Sequence, residues 1–307
     1  MASDYHEPVM VREVLAHLNV ERGGLFFDGT LGGGGHTEAI LEASEATRVI
    51  GVDQDPDALA AARERLDRFG ARVRYVAANF ADAAESLTEV LAGALLDLGI
   101  SSHQIDVDER GFSFRPAAPL DMRMAGAASS APTAAELLNE LPESDLADVF
   151  YRYGEEQRSR RLAAEIVRRR AQSPFRLSGD LVAAIDASLG ARTTIQDRAR
   201  IFQALRIAVN DEMGVLARAL PALRDRLAPS GVFVVLSYHS LEDRQVKDAF
   251  REWSRACVCP PALPVCRCRG VPLGKSLTRK PLMAGAEEVA ANSRARSARL
   301  RAWMKAA

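Results

Sequence analysis

Phe26-Phe27-Asp28-Gly29-Thr30-Leu31-Gly32-Gly33-Gly34-Gly35-His36 decides the fold. A short apolar run ends in an acid and then in a glycine loop. Two further segments repeat that form: Val49-Ile50-Gly51-Val52-Asp53-Gln54-Asp55-Pro56, and Leu95-Leu96-Asp97-Leu98-Gly99-Ile100-Ser101-Ser102. Apolar strands that end at functional loops describe the carboxyl edge of a parallel sheet, where open α/β folds bind their ligands.

The flanking sequence extends the pattern. Asp55-Pro56 starts a helix, with Asp as cap and Pro at the first helical position, and that helix runs to about Phe69. Val73 to Phe80 reads as a third strand and Ala94 to Leu98 as a fourth. Val232 to Ser237 reads as a fifth, after the amphipathic stretch Glu212 to Leu227 and a Pro229-Ser230-Gly231 turn. Strands alternating with helices imply a parallel sheet with right-handed crossovers. The interval from Leu98 to Val232 is far longer than one crossover needs. Within it the apolar spacing is helical: Leu137, Leu138, Leu141; Leu146, Val149, Phe150; Leu162, Ile166; Leu181, Ile185, Leu189. The reading is an all-helical domain, residues 105–199, inserted into a sheet domain made of residues 1–104 and 200–307. Ala125 to Pro132, small and polar, reads as a loop.

Composition sets outer bounds. The chain has 307 residues, and 48% are hydrophobic, enough for a packed core and against global disorder. No apolar run reaches membrane-spanning length, so no membrane partner is expected. The first residues, Met1 to Glu7, are polar and carry no signal-peptide stretch, which makes the cytoplasm the expected compartment. The net charge of −1 is unevenly placed. Arg267 to Ala307 holds ten Lys or Arg against Glu287 and Glu288, a net of +8, which leaves −9 for the rest. A basic tail on an acidic protein suggests a polyanionic partner; a solvated Arg-rich helix is the plainer alternative.

The four cysteines, Cys257, Cys259, Cys266 and Cys268, lie within twelve residues. Four such thiols could make a tetrahedral zinc site, since residues two apart share one face of an extended strand. The Cys-x-Cys spacing departs from the usual Cys-x-x-Cys knuckle, however. The sequence reading favours reduced thiols in an intracellular loop and assigns no metal.

The glycine run narrows the cofactor. Four consecutive glycines let backbone approach a ligand closely. A P-loop requires Gly-Lys-Ser/Thr, where this chain has His36-Thr37. The dinucleotide fingerprint is met only through the degeneracy of the run. Asp28 separates the remaining classes: a carboxylate just before the loop opposes a bound pyrophosphate, whereas S-adenosylmethionine brings a sulfonium and an amino group. Asp53, at the end of the second strand, is placed to accept from ribose hydroxyls. Asp97, at the end of the fourth, sits where an acceptor amine would meet the transferable methyl. The exocyclic amine of a nucleobase is a poor nucleophile because its lone pair is delocalised, so holding its N–H against a carboxylate is a matter of positioning and electrostatics.

Several blocks resemble one family, the bacterial ribosomal RNA small-subunit methyltransferase H family. They are Tyr5-His6-Glu7-Pro8-Val9-Met10, Asp28-Gly29-Thr30 with Gly34-Gly35-His36, Leu96 to Ser102, Glu109 to Phe114, Pro119 to Met124, Phe202 to Ile207, Ser237 to Arg244, and Arg294 to Ala298. They run through the whole chain in the family's order. Gln196-Asp197 departs from the pattern, where a His-Pro-like pair is expected.

The resemblance implies a Rossmann-like S-adenosylmethionine-dependent methyltransferase fold with an inserted all-helical domain. It implies methylation of the N4 of a cytidine in the decoding region of 16S rRNA, within the small ribosomal subunit. Carried over by position, the cofactor contacts are Gly34, Gly35, His36, Asp53, Phe80, Asp97 and Gln104.

Asp97 is the first choice for orienting the acceptor. Tyr238, after the fifth strand, is expected to stack on the target base, with packing at a strand end as the alternative. His6 and His239 are further candidates, although single histidines more often serve structure. The Glu109 to Met124 block reads as a lid. Arg115, Arg123, Arg158, Arg160, Arg161 and Arg168 to Arg170 are candidates for RNA phosphates. Two rival classes remain, an NAD-dependent oxidoreductase and a non-catalytic RNA-binding protein. Asp28 opposes the first, and the intact Asp53, Asp97 and glycine loop oppose the second.

Overall fold

A computed structural model describes residues 8–190, 193–260, 265 and 267–307. His6, Cys266 and the side chain of Ser102 lie outside the described residues. Contacts divide the chain into two units, Met1–Gly99 with Gly214–Ala307, and Ile100–Met213.

The first unit is built on one sheet. Its strands are β1 (Gly24–Asp28), β2 (Thr47–Asp53), β3 (Val73–Ala77), β4 (Leu91–Asp97), β5 (Leu227–Ser237), β6 (Gly274–Ser276), β7 (Leu282–Met283) and β8 (Arg299–Lys305). They lie in the order β3-β2-β1-β4-β5-β8-β6, with β7 also on β8. The first five are parallel, and β8 is antiparallel to β5, β6 and β7. In β4 and in the second half of β5 nearly every residue is buried, as expected of parallel strands covered on both faces. The strand order reverses between β1 and β4, which places the ligand crevice of such a fold at their carboxyl ends. Asp28, Asp53 and Asp97 are each the last residue of their strand.

Four expectations need correction. The third strand stops at Ala77, and Phe80 opens the helix Phe80–Ser86. The Asn79 side chain accepts from the Ala81 N–H and caps that helix, ending the extended run early. Pro229-Ser230-Gly231 is a bulge inside β5 and not a turn before it. There the pairing passes from Leu91 with Leu227 to Gly93 with Val232, and Ser230 takes a positive φ of 62°.

The basic C-terminal segment is also no tail. Its last stretch is β8, the partner of β5, with Leu300, Ala302 and Trp303 fully buried. Arg301 is buried too, and its guanidinium donates to both carboxylate oxygens of Asp243 at 2.6 and 3.1 Å. Three of its ten basic residues, Arg299, Arg301 and Lys305, thus belong to a sheet strand.

The second unit is helical: Ala134–Glu140, Glu143–Gly154, Ser159–Arg170, Ser178–Leu189 and Ile195–Asn210 surround a core that includes Leu138, Phe150, Leu162, Ile166, Leu181 and Ile185. The expected junction at 199/200 falls inside the last of these helices. Ile201, Phe202 and Leu205 point into the helical core, and Phe202 meets Phe114 edge-on at 4.8 Å. A continuous amphipathic helix cannot be divided there, so the unit extends from Ile100 to Met213 and not from 105 to 199. Asp197 completes a capping box with Thr194, so the departure at Gln196-Asp197 serves as a helix start. Among the described residues no helix is long and apolar enough to cross a membrane.

Candidate active site

The loop after β1 is fastened from inside. Asp28 is buried. Its Oδ2 accepts from the Thr37 hydroxyl at 2.7 Å and its Oδ1 from the Thr30 N–H at 3.2 Å. Burial pushes this carboxyl up, opposed first by the Thr37 bond. Asp28 therefore holds the loop to the helix Gly35–Ala43 that follows. Gly34 is the N-cap of that helix at φ 83°, a conformation that strains any L side chain, and a Cβ there would lie 3.0 Å from Leu66.

The same loop is tied to β2. The Gly32 N–H donates to Asp53 Oδ2 at 2.8 Å, and the Asp55 N–H donates to Asp53 Oδ1 at 2.9 Å. Burial raises the Asp53 carboxyl to about 6 despite these two bonds. A carboxylate oxygen can accept more than one hydrogen bond, so Asp53 keeps acceptor capacity for hydroxyls.

Asp97 lies at the centre. Its backbone N–H donates to the Thr30 hydroxyl at 2.6 Å, which joins the ends of β1 and β4. The Tyr238 hydroxyl donates to Asp97 Oδ1 at 2.7 Å, and His36 Nδ1 stands 3.6 Å from Asp97 Oδ2. His36 Nε2 lies 2.9 Å from the Val9 carbonyl. A carbonyl only accepts, so Nε2 carries a proton. Burial pushes the Asp97 carboxyl up, opposed first by the His36 charge and then by the Tyr238 bond. Burial, followed by the Asp97 charge, holds the Tyr238 phenol well above its usual range. Tyr238 is thus a neutral donor aimed at Asp97.

Tyr238 is itself held in place. Its N–H and that of His239 donate to Glu242 Oε2 at 2.8 and 3.3 Å, while the Glu242 N–H donates to His239 Nδ1 at 3.4 Å. This is a capping box built on His, and it begins the helix Ser240–Trp253. The Tyr238 ring packs on the core and flanks Gly99, where a Cβ would lie 3.3 Å from the ring. The Tyr238 hydroxyl is directed at Asp97.

Phe80 stands against the glycine loop: a Cβ on Gly29 would come within 3.0 Å of the Phe80 Cβ. Its ring packs on Val215 and Ala219. Gln104 belongs to the helical unit. There its Oε1 accepts from the Ser101 N–H at 3.1 Å and its Nε2 donates to the Met124 carbonyl at 3.3 Å. The structure thus gathers Gly34, Gly35, His36, Asp53, Phe80, Asp97 and Tyr238 at the carboxyl edge of one sheet.

The charge of this edge tests the cofactor. Asp28, Asp53 and Asp97 are close enough that the Asp28 charge raises both of the others. Such a place suits a cationic ligand and opposes a pyrophosphate. Gly32, at φ 51°, has only the Thr30 carbonyl within 4 Å of a hypothetical Cβ, so the loop leaves open space beside the acids.

Comparison with known proteins agrees. Residues 3–306 match the MraW methylase family. The chain belongs to that family. A ribosomal RNA small subunit methyltransferase H from Gemmatimonas aurantiaca is 55% identical over 307 residues, covering 98% of this chain and 96% of that protein. The protein of the same name from Heliobacterium modesticaldum is 51% identical and covers 98% of each. A solved rRNA methylase from Streptococcus thermophilus aligns over 97% of this chain and 95% of its own, at 11% identity and a TM-score of 0.43, too loose a match to carry an argument. The sheet of this methylase is Rossmann-like, and S-adenosylmethionine is its cofactor.

Three contributors escaped the sequence reading. Thr30 and Thr37 fix the loop through their hydroxyls, and Glu242 fixes Tyr238. Only Glu242 left a usable signal, as the fourth residue of His239-Ser240-Leu241-Glu242, a variant of the capping-box spacing.

Proposed function

We propose that this methylase transfers a methyl group to the exocyclic N4 of one cytidine in the decoding region of 16S rRNA, within the small ribosomal subunit and in the cytoplasm. The relatives' names, ribosomal RNA small subunit methyltransferase H, support rRNA as the substrate. The observation that carries the finer reading is the buried Asp97 carboxylate, fixed by Thr30, Tyr238 and His36 at the point where the strand order reverses.

Bound S-adenosylmethionine supplies an electrophilic methyl group. Asp53 accepts from ribose hydroxyls, and the Gly32 to Gly35 backbone leaves room for the amino-acid portion. Asp97 accepts an N–H of the cytosine amine and aims its nitrogen at the methyl carbon. An amine that accepted this methyl would have to shed a proton. Asp97 is placed to take it, because burial has raised its proton affinity. Tyr238 is a positioning residue that acts through Asp97.

The helical unit supplies the RNA surface in this reading. Several of the expected phosphate contacts are already engaged: Arg115 pairs with Asp108, Arg123 with Asp121, and Arg168 and Arg169 with Glu165. Arg160 and Arg161, on the helix Ser159–Arg170, are exposed and are the better candidates.

The test is methyl transfer from labelled S-adenosylmethionine to small-subunit particles from cells lacking the protein and, separately, to naked 16S rRNA, followed by nucleoside analysis. Label in N4-methylcytidine is expected. Label in any other nucleoside would overturn the acceptor.

A further inference from the structure

The chain between Trp253, where one helix ends, and Gly274, where β6 begins, has no helix or strand among its described residues. Connections of this length without structure of their own are uncommon in compact domains. This one is closed at its base. The Leu273 N–H donates to the Trp253 carbonyl at 2.9 Å, and the Arg269 guanidinium donates to the carbonyls of Glu252 and Arg255 at 2.6 and 3.1 Å. Beyond the base, Val265 and Val271 are 67% and 62% exposed. Yet the loop brings three thiols together. The sulfurs of Cys257, Cys259 and Cys268 all lie within 4.8 Å of one another.

Their geometry is that of a metal-binding set. Ligand sulfurs at about 2.3 Å from a tetrahedral zinc ion stand about 3.8 Å apart; Cys257 Sγ and Cys268 Sγ are 3.9 Å apart. Backbone amides are directed at the sulfurs as well. The Val258 N–H points at Cys268 Sγ at 3.3 Å, and the Arg267 N–H at Cys259 Sγ at 3.4 Å. A thiolate accepts such bonds far better than a thiol, and metal-bound cysteines are thiolates. The sequence supplies a fourth thiol, Cys266, outside the described residues.

We infer that Cys257, Cys259 and Cys268 bind a thiophilic d10 divalent cation, zinc by preference, and that this ion cross-links the 254–273 connection. Soft thiolates select such a metal over magnesium or calcium. The site is structural: it ties together a connection whose described residues Val265 and Val271 are exposed. The Cys-x-Cys spacing, which weighed against zinc in the sequence, is compatible with it because Cys268 comes back onto the Cys257-x-Cys259 segment.

The full-length protein, produced with zinc in the medium and kept reduced, should retain one zinc per chain through gel filtration. Cobalt(II) added to the metal-stripped chain should give thiolate-to-cobalt charge-transfer absorption and the visible bands of tetrahedral cobalt. C257S and C268S should each lose the zinc and the cobalt bands. Near-zero zinc and no charge-transfer band in the unsubstituted, fully reduced protein would overturn the inference. So would full metal retention in both variants. The cobalt titration of the unsubstituted chain stands even where a variant fails to fold.

Discussion

The Tyr238 hydroxyl and Asp97 Oδ1, 2.7 Å apart, join the loop after β5 to the end of β4 across 141 residues of sequence. The bond stabilises the ionised form of a carboxyl that burial pushes the other way. Tyr238→Phe removes the donor and keeps the ring. The Asp97 pKa then rises, and a reaction that needs ionised Asp97 loses its rate at a higher pH than in the unsubstituted enzyme. The rate at neutral pH should fall about tenfold, in line with roughly 1.4 kcal/mol for one buried charge-assisted bond. A pH–rate profile checks this; an unmoved acidic limb would make Tyr238 a packing residue only.

Asp53 leads to a pH dependence of cofactor binding. Its carboxyl is raised from 3.8 to about 6 in the folded chain. The folded state therefore holds this proton more tightly than the unfolded one, and the ligand-free protein loses stability as pH climbs through that window. Ionised Asp53 is the better acceptor for ribose hydroxyls, so cofactor affinity should rise across the same window. Calorimetry should show a loss of about tenfold, roughly 1.4 kcal/mol, for Asp53→Asn, with a flattened pH dependence. Unchanged affinity would remove Asp53 from the site.

Arg301 and Asp243 make a pair whose loss should unfold and not merely discharge. Arg301→Met leaves the largely buried Asp243 with only the longer 3.8 Å contact to Arg299. Denaturant unfolding should report a loss of about 3 kcal/mol. The salt dependence of RNA binding should stay as it was. A weaker salt slope with unchanged stability would return the segment to the RNA-binding role first read from its charge.

Arg160 and Arg161 carry the opposite prediction. Replacing both with Ala should leave stability within about 0.5 kcal/mol, since both are exposed. The plot of log affinity for 16S rRNA against log salt should lose about 1 to 2 from its slope. An unaltered slope would place the phosphate contacts elsewhere.

The sheet and its acidic edge were legible because parallel strands buried on both faces read as continuous apolar runs, and because Asp28, Asp53 and Asp97 end them. Three things were not. The helix Ile195–Asn210 has the same apolar spacing whether it packs on helices or on a sheet, so the junction near residue 200 could not be located from periodicity. Arg301 reads as surface charge until its partner Asp243, 58 residues earlier, is known. The hydroxyl of Tyr238 finds Asp97 only through pairing of β4 with β5, a long-range relationship that local pattern does not encode. Asp28 adds to the acidic edge, as its place in the sequence suggests, and also fastens the loop through Thr37, a contact that local pattern does not show.

The central claim is that Asp97 receives the acceptor amine. Single-turnover methyl transfer to small-subunit particles, with N4-methylcytidine as the readout, tests it in the unsubstituted enzyme and in Asp97→Asn. Cofactor binding and thermal stability are measured on the same samples. The rate should fall by about two to three orders of magnitude, the scale for losing a group that orients and deprotonates the nucleophile, with the fold retained. A rate within a few fold of the unsubstituted enzyme would contradict the account.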